Sequence, residues 1–313
     1  MKDISLLSVG AWAPFDHIFR ISAYPSEGET IPLDMDLTAA GTTYFGDCGI
    51  NVAYVAAVLG TDTALASIVG RDFDGSGYRE HLEKAGINLE GLTMLPDQLC
   101  GHNYIFFDPE GRGFCFSHLG AAAKQSALLM PPDLPGRCEN IVVSEQFSPY
   151  TLTALRAAKQ GGARAFLNGM IDTADDLLND FLALADVLFI NESEFTRLIG
   201  KIGHEDLLFG HYGLTLLFIT MGRRGCRVVS PGKSEVVPIV KTDRRVDPTG
   251  AGDSFAAGTI SATLRGYGPV IAARVGSTVS SFVIEAWGCQ TRVPVWPEME
   301  QRLKENYAGG LNQ

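Results

Sequence analysis

The sequence is short of several things, and each shortage removes a class of protein. Basic residues are too few. Lys and Arg number 25 against 36 Asp and Glu, a net charge of −11, which opposes binding to a nucleic-acid backbone. Long apolar runs are missing. The longest, such as "LALADVLFI" over 182–190, is interrupted by Asp186 and is far below the ~20 residues of a membrane span. The six cysteines (Cys48, Cys100, Cys115, Cys138, Cys226 and Cys289) contain no Cys-x-x-Cys pair, so neither a zinc site nor a disulfide framework is expected. The opening "MKDISLLSVG" reads as a first strand rather than an export signal. With six free thiols it predicts a cytoplasmic location. The six histidines show no ligand spacing and are expected in surface or packing roles.

The chain has 313 residues, 46% of them hydrophobic and 19% charged, enough for a large core. Apolar alternation in "DHIFRISAYPSEGETIPLDMDLTAA" (16–40), around a turn with Pro25, Ser26 and Gly28, predicts an antiparallel excursion. "CGHNYIFFDPEGRGFCFSHLG" (100–120) predicts a second, with a turn at Asp108-Pro109-Glu110-Gly111. "GINVAYVAAVLG" (49–60) has a helical pattern closed by Gly60. Strands are predicted at 63–70, 140–144, 163–168, 187–191 and 215–222, with helices within 73–86, near 150–160, near 173–185 and after 191. This alternation implies a parallel sheet with helices on both faces. The two excursions, both before residue 120, are expected to form a small second layer over one end of it.

One stretch points to chemistry. In "RRVDPTGAGDSFAAG" (244–258), Gly250, Ala251 and Gly252 lead into Asp253 at a helix start. A helix N-terminus has unpaired N–H groups and partial positive charge, and small residues let a phosphoryl group reach them. A carboxylate there would repel that anion, but it suits a base that takes the proton of an attacking hydroxyl. The plainer reading is a helix cap favoured by the dipole. The stretch is not G-x-G-x-x-G, since Phe255 stands at the final glycine position, and "GKS" at 232–234 is not a Walker A loop, since Arg227 stands where its first glycine belongs. Asn191 and Glu194 in "DVLFINESEF" could likewise be an ordinary capping box.

Four segments in order, "GDCGINVAYVAAVLG" (46–60), "DVLFINESEF" (186–195), "ITMGRRG" (219–225) and "DPTGAGDSFAAG" (247–258), resemble the signatures of the ribokinase-like, or PfkB-type, carbohydrate kinases. The likeness runs over roughly residues 4–300. It implies a three-layer α/β/α fold, a single domain over 1–313, with a mostly parallel central sheet and a small β-sheet lid at about 14–40 and 98–118. It implies an ATP-dependent kinase that phosphorylates a primary hydroxyl of a sugar or sugar-like molecule, with a nucleoside as the alternative acceptor. A silent sugar-binding protein on the same fold is a third reading, and the presence of the base, the anion hole and Asn-x-x-Glu argues against it.

By the resemblance, Asp253 is the base and Gly250, Ala251 and Gly252 the anion hole. Asn191 and Glu194 organise Mg²⁺ and its waters, while Thr220, Gly222 and Gly225 line the nucleotide. Asp16, Gly46 and Asn51 meet the substrate. Asp47 and Glu145 join them as candidate substrate contacts, and Asp247 with Thr249 could hold a monovalent cation such as K⁺. A homodimer through the lid edges is compatible with the pattern. The chain departs from the family at Asp47, in place of a second hinge glycine, and at Cys48, where ribokinases carry Lys. The tail "SSFVIEAWGCQTRVP" (280–294) resembles the nucleoside branch as well as the sugar branch.

Overall fold

A computed structural model describes residues 2–32, 43–108 and 113–312. The second half of the first excursion (Leu33, Met35, Leu37) and most of the predicted Asp108–Gly111 turn lie outside these residues. The described strands are β1 (Ile4–Val9), β2 (Phe15–Arg20), β3 (Thr43–Phe45), β4 (Thr63–Gly70), β5 (Asn88–Leu95), β6 (His102–Phe107), β7 (Gly113–His118), β8 (Cys138–Ser144), β9 (Arg164–Asn168), β10 (Val187–Asn191), β11 (Leu216–Thr220), β12 (Cys226–Ser230) and β13 (Lys233–Val237). Nine of them form one sheet in the order β13-β12-β11-β10-β9-β8-β1-β4-β5, parallel except that β12, near one edge, runs antiparallel to both β11 and β13.

Both faces of this sheet are covered, which explains why its strands read as continuous apolar runs. In β1, Leu6 belongs to one core and the adjacent Leu7 to the other, as the two-residue period of a strand requires. Leu7's core includes Leu152, Phe181 and Leu198 from the helices Pro149–Gln160, Leu178–Leu184 and Glu192–Ile202. Leu6's core includes Val52, Ala256, Val279 and Met299 from Cys48–Val58, Ala251–Leu264, Pro269–Val283 and Trp296–Asn306. The three expected layers are therefore present.

The smaller sheet has the order β3-β2-β6-β7. Its β6–β7 pair is antiparallel as predicted, and β2 pairs in parallel with β6 and antiparallel with the short β3. Three features went unforeseen. β5 adds a parallel edge strand beside β4. β12 and β13 form a hairpin around Pro231 and Gly232. The helix expected near 173–185 is shorter, Leu178–Leu184, and two 3₁₀ turns at Ile171–Thr173 and Asp175–Leu177 replace its start. There the buried Asp172 carboxylate is held by Arg197 Nε at 2.6 Å, which ties the segment to the neighbouring helix. No described helix is long and apolar enough to cross a membrane.

Candidate active site

The helix Ala251–Leu264 starts from Gly250, whose φ of 72° lies in the left-handed region. A Cβ there would stand 2.6 Å from Cys289 Sγ. The amide N–H of Ala251 donates to Pro248 O at 3.2 Å, while those of Gly250, Gly252 and Asp253 make no backbone hydrogen bond among the described residues. Of the three amides expected to form an anion hole, Ala251's is therefore already engaged, and Asp253's own is open in its stead. A Cβ on Gly252 would meet no atom within 4 Å, so its Cβ side is open.

Asp253 is 7% exposed, and its carboxylate is not folded back onto its own helix. Asn51 Nδ2 donates to Oδ2 at 3.0 Å and Asn168 Nδ2 donates to Oδ1 at 3.1 Å. Burial raises its pKa to about 6, against the opposing pull of Asn51, the Cys48 thiol and Asn168. The two amides orient both oxygens, and a carboxyl group that titrates near 6 can take a proton close to neutral pH. Asn168 was not anticipated from sequence. Its only local signal is a polar residue ending the apolar strand β9.

Asp253 opens onto a cavity of about 140 Å³ that also meets Glu145, Asn191, Glu194, Thr220 and Gly252, together with Cys48 and Asn168. Residues expected in separate roles thus share one wall. Gly222 and Gly225 stand apart from it. Gly225 has a φ of 92°, and a Cβ there would lie 2.1 Å from Val237 O, so its glycine is required for close approach to the end of β13. Asn191 and Glu194 do form a capping box, with Glu194 N donating to Asn191 Oδ1 at 2.9 Å and Asn191 N to Glu194 Oε2 at 2.8 Å. The cap and the cavity wall are the same residues, and burial raises the Glu194 pKa. Glu145 (φ 48°), Gln146 (φ 41°) and Met170 (φ 35°), just beyond the ends of β8 and β9, hold a backbone region that non-glycine residues rarely adopt. Such geometry collects where surrounding structure constrains a site.

On the other side of Asp253 lies the expected substrate cluster. Asp16 on β2 accepts from Asn103 Nδ2 at 2.8 Å. Its pKa is raised to about 7 by burial, with further upward pushes from Asp247, Asp47 and Asp253. Gly46 faces it so closely that a Cβ would fall 2.3 Å from Asp16 Oδ2. Asp47 caps the Cys48–Val58 helix from a φ of 78°, with Oδ1 accepting from Ile50 N at 3.1 Å and Oδ2 from Trp12 N at 2.7 Å. Backbone amides thus engage both oxygens of this candidate substrate contact. It pins the helix to the loop after β1, where a glycine would leave the hinge loose.

Five acids gather around this centre, the buried Asp16, Asp47, Asp247 and Asp253 and the half-buried Glu145. Burial raises the pKa of each, that of Glu145 well above the usual carboxylate range. None forms an ion pair among the described residues. Asp247 accepts from Thr249 N and Gly288 N, each at 2.9 Å. The buried Thr249 hydroxyl lies near enough to favour the charged form of Asp247, but makes no hydrogen bond of acceptable geometry. No three His, Cys, Asp or Glu side chains converge to hold a metal directly among the described residues. A larger cleft of about 510 Å³ opens beside Arg71, Gln98 and His118, and holds none of these groups.

A profile of the pfkB family of carbohydrate kinases matches residues 23–296. The chain is 29% identical over 295 residues to a nucleoside kinase of Methanocaldococcus jannaschii, covering 93% of this chain and 94% of that protein. It is 24% identical over 302 residues to a ribokinase of Staphylococcus aureus, covering 91% and 95%. The crystal structure of the Methanocaldococcus jannaschii nucleoside kinase superposes with a TM-score of 0.82 at 28% identity, over 97% of this chain and 99% of that one. A Burkholderia thailandensis nucleoside kinase solved with inosine gives 0.85 at 22% identity, over 98% and 99%, a likeness of fold alone.

Proposed function

The chain belongs to the pfkB family of carbohydrate kinases, and on that premise we propose that it phosphorylates a primary hydroxyl of a sugar or sugar-like acceptor at the expense of ATP, with Asp253 as the base. The observation that carries this reading is the Asp253 carboxylate held by Asn51 and Asn168 beside a helix start with open amides at Gly252 and Asp253. The acceptor hydroxyl gives its proton to Asp253 as its oxygen attacks the terminal phosphorus. Charge growing on the phosphoryl oxygens meets the amides of the helix start, prepositioned donors of the kind that cost roughly 2.7–4 kcal/mol each when lost. Asp16, fixed by Asn103, grips acceptor hydroxyls, and the smaller sheet excludes water as a lid.

Thr220 and the adjoining turn with Gly222 and Gly225 border the nucleotide in this reading. Asn191 and Glu194 are the residues that would hold Mg²⁺, by way of its waters, and the uncompensated buried acids fit a site that works with a cation. When bound, Mg²⁺ neutralises phosphate charge. Asp247 and the unsatisfied Thr249 hydroxyl offer oxygen ligands of the kind a hard cation such as K⁺ takes. The whole chain acts as one kinase unit in the cytoplasm, an assignment that the six free cysteines support. A lid-to-lid homodimer would cover Tyr104 and Phe116, which are 41% and 64% exposed.

Whole-chain likeness to a nucleoside kinase favours a second reading, in which the sugar hydroxyl belongs to a nucleoside. ADP release with ATP and a panel of sugars and nucleosides separates the two. Turnover of inosine, adenosine or cytidine above every free sugar selects the nucleoside. Asp253→Asn is expected to fold, bind ATP and lose about 10²–10⁴-fold in kcat, and near-normal turnover of that variant would overturn the base assignment.

A further inference from the structure

Behind the base lies a chain of buried polar groups that the reaction as described does not use. Gln290, in the turn that follows the Pro269–Val283 helix, is 7% exposed. Its Nε2 donates to Asn51 Oδ1 at 2.9 Å and to Tyr78 OH at 2.6 Å, and its Oε1 lies 3.1 Å from His81 Nε2. The Tyr78 hydroxyl, fully buried, donates in turn to Gly46 O at 2.7 Å.

The direction of every bond follows from one end. A backbone carbonyl only accepts, so Tyr78 must donate to Gly46 and accept from Gln290. Gln290 therefore turns its NH₂ toward Tyr78 and Asn51, and its carbonyl toward His81, whose Nε2 carries the proton. Burial lowers the His81 pKa, which favours the neutral ring. Asn51 must then accept through Oδ1, which leaves its NH₂ facing the Asp253 carboxylate. With the amide reversed, an oxygen would face an oxygen. Gln290 thus holds from one side the same orientation that the Asp253 carboxylate favours from the other.

We propose that Gln290 is a positioning residue that locks the amide of Asn51 as a donor to Asp253, and that Tyr78 ties this lock to the Gly46 loop at the base of the smaller sheet. The anchoring is strong. The Tyr78 ring stacks on Phe45 of β3, with centroids 4.1 Å apart and planes 5° apart, and touches Phe15 of β2. Displacement of the smaller sheet would move the Gly46 carbonyl, and with it the polarity of the donor that reaches the base. The proposal rests on Asp253 being that base.

The groups facing Asp253 are Asn51, Asn168, Cys48 and Asp47, with Asp16, Glu145 and Cys289 also within its field. Gln290→Met preserves side-chain length and removes the donor. A carboxyl-specific NMR titration of the unliganded protein is expected to show Asp253 titrating at least about half a unit higher than in the wild type, because the charged form has lost an oriented donor. In the same variant kcat should fall about tenfold with the KM for ATP little changed, the pattern of a loss confined to the transition state. Should Gln290→Met not fold, Tyr78→Phe carries the test, since it keeps the ring, removes the hydroxyl and should shift both readouts in the same direction by less. A wild-type titration and kcat in whichever variant folds would overturn the proposal. If Asp253→Asn is inactive while these variants behave as wild type, only the positioning role fails. If Asp253→Asn remains active, the base assignment fails with it.

Discussion

Asn168 offers a sharp test of how the base is tuned. It donates to Asp253 Oδ1 at 3.1 Å and lies 3.3 Å from Ser144 Oγ, at the end of a strand with no other polar task. Asn168→Leu keeps volume and removes the donor. A hydrogen bond to a charged group is worth about 1.5–3 kcal/mol, which converts to roughly 1–2 pKa units. Asp253, at about 6 in the wild type, should therefore rise to roughly 7–8. The working form is the carboxylate, so activity is lost as pH falls through this value. At pH 7 the ionised fraction is about 0.9 for a pKa of 6 and about 0.2 for 7.5, so the variant should be roughly fourfold slower. Near pH 9 both should be almost fully ionised and the deficit should close. The assay is kcat/KM for the acceptor from about pH 5 to pH 9, by coupled ADP release, in which Asp16 adds its own acid step near 7. An acid limb in the same place for both proteins, or a deficit equally deep at high pH, would show that Asn168 does not set the proton affinity of the base.

The acid cluster also has a stability signature. Burial holds Asp16 at about 7 in the folded chain against 3.8 for the free group, so folding takes up a proton, and its contribution to stability is present below about 3.8 and lost as pH rises toward 7. Asp16→Asn is then expected to melt roughly 4 °C or more above the wild type at pH 8, with the advantage shrinking toward pH 4 and the acceptor KM raised, which differential scanning and kinetics would show; an unchanged Tm difference across that range would contradict it. At Asp47, the φ of 78° makes two substitutions rank against size. Asp47→Gly should be more stable than Asp47→Ala by about 1–3 kcal/mol, because both lose the cap but only alanine keeps the strained backbone, a ranking that denaturant melts read directly.

What could be read from the sequence was whatever neighbours in the chain decide. The Gly250–Asp253 turn, the Asn191–Glu194 pair and the alternation of strands with helices depend on contacts a few residues apart or on a repeating period, and both leave marks in the order of residues. The same locality explains why Asn191 and Glu194 served the capping and the cavity readings equally: the local pattern is one and the same. At the β12–β13 hairpin, the order Gly232-Lys233-Ser234 matches the end of a phosphate loop as readily as a turn, so the residue order alone does not distinguish the two. Asn168, Gln290 and Tyr78 had no such mark. Their partners are 85, 239 and 32 residues away, and a lone amide or phenol in the sequence does not announce whom it will meet. The capping role of Asp47 was hidden for the same reason, since its second anchor, Trp12, is 35 residues distant. Hydrogen bonds between buried groups are specified by direction and distance, and these exist only once the sheet has brought the ends of its strands together.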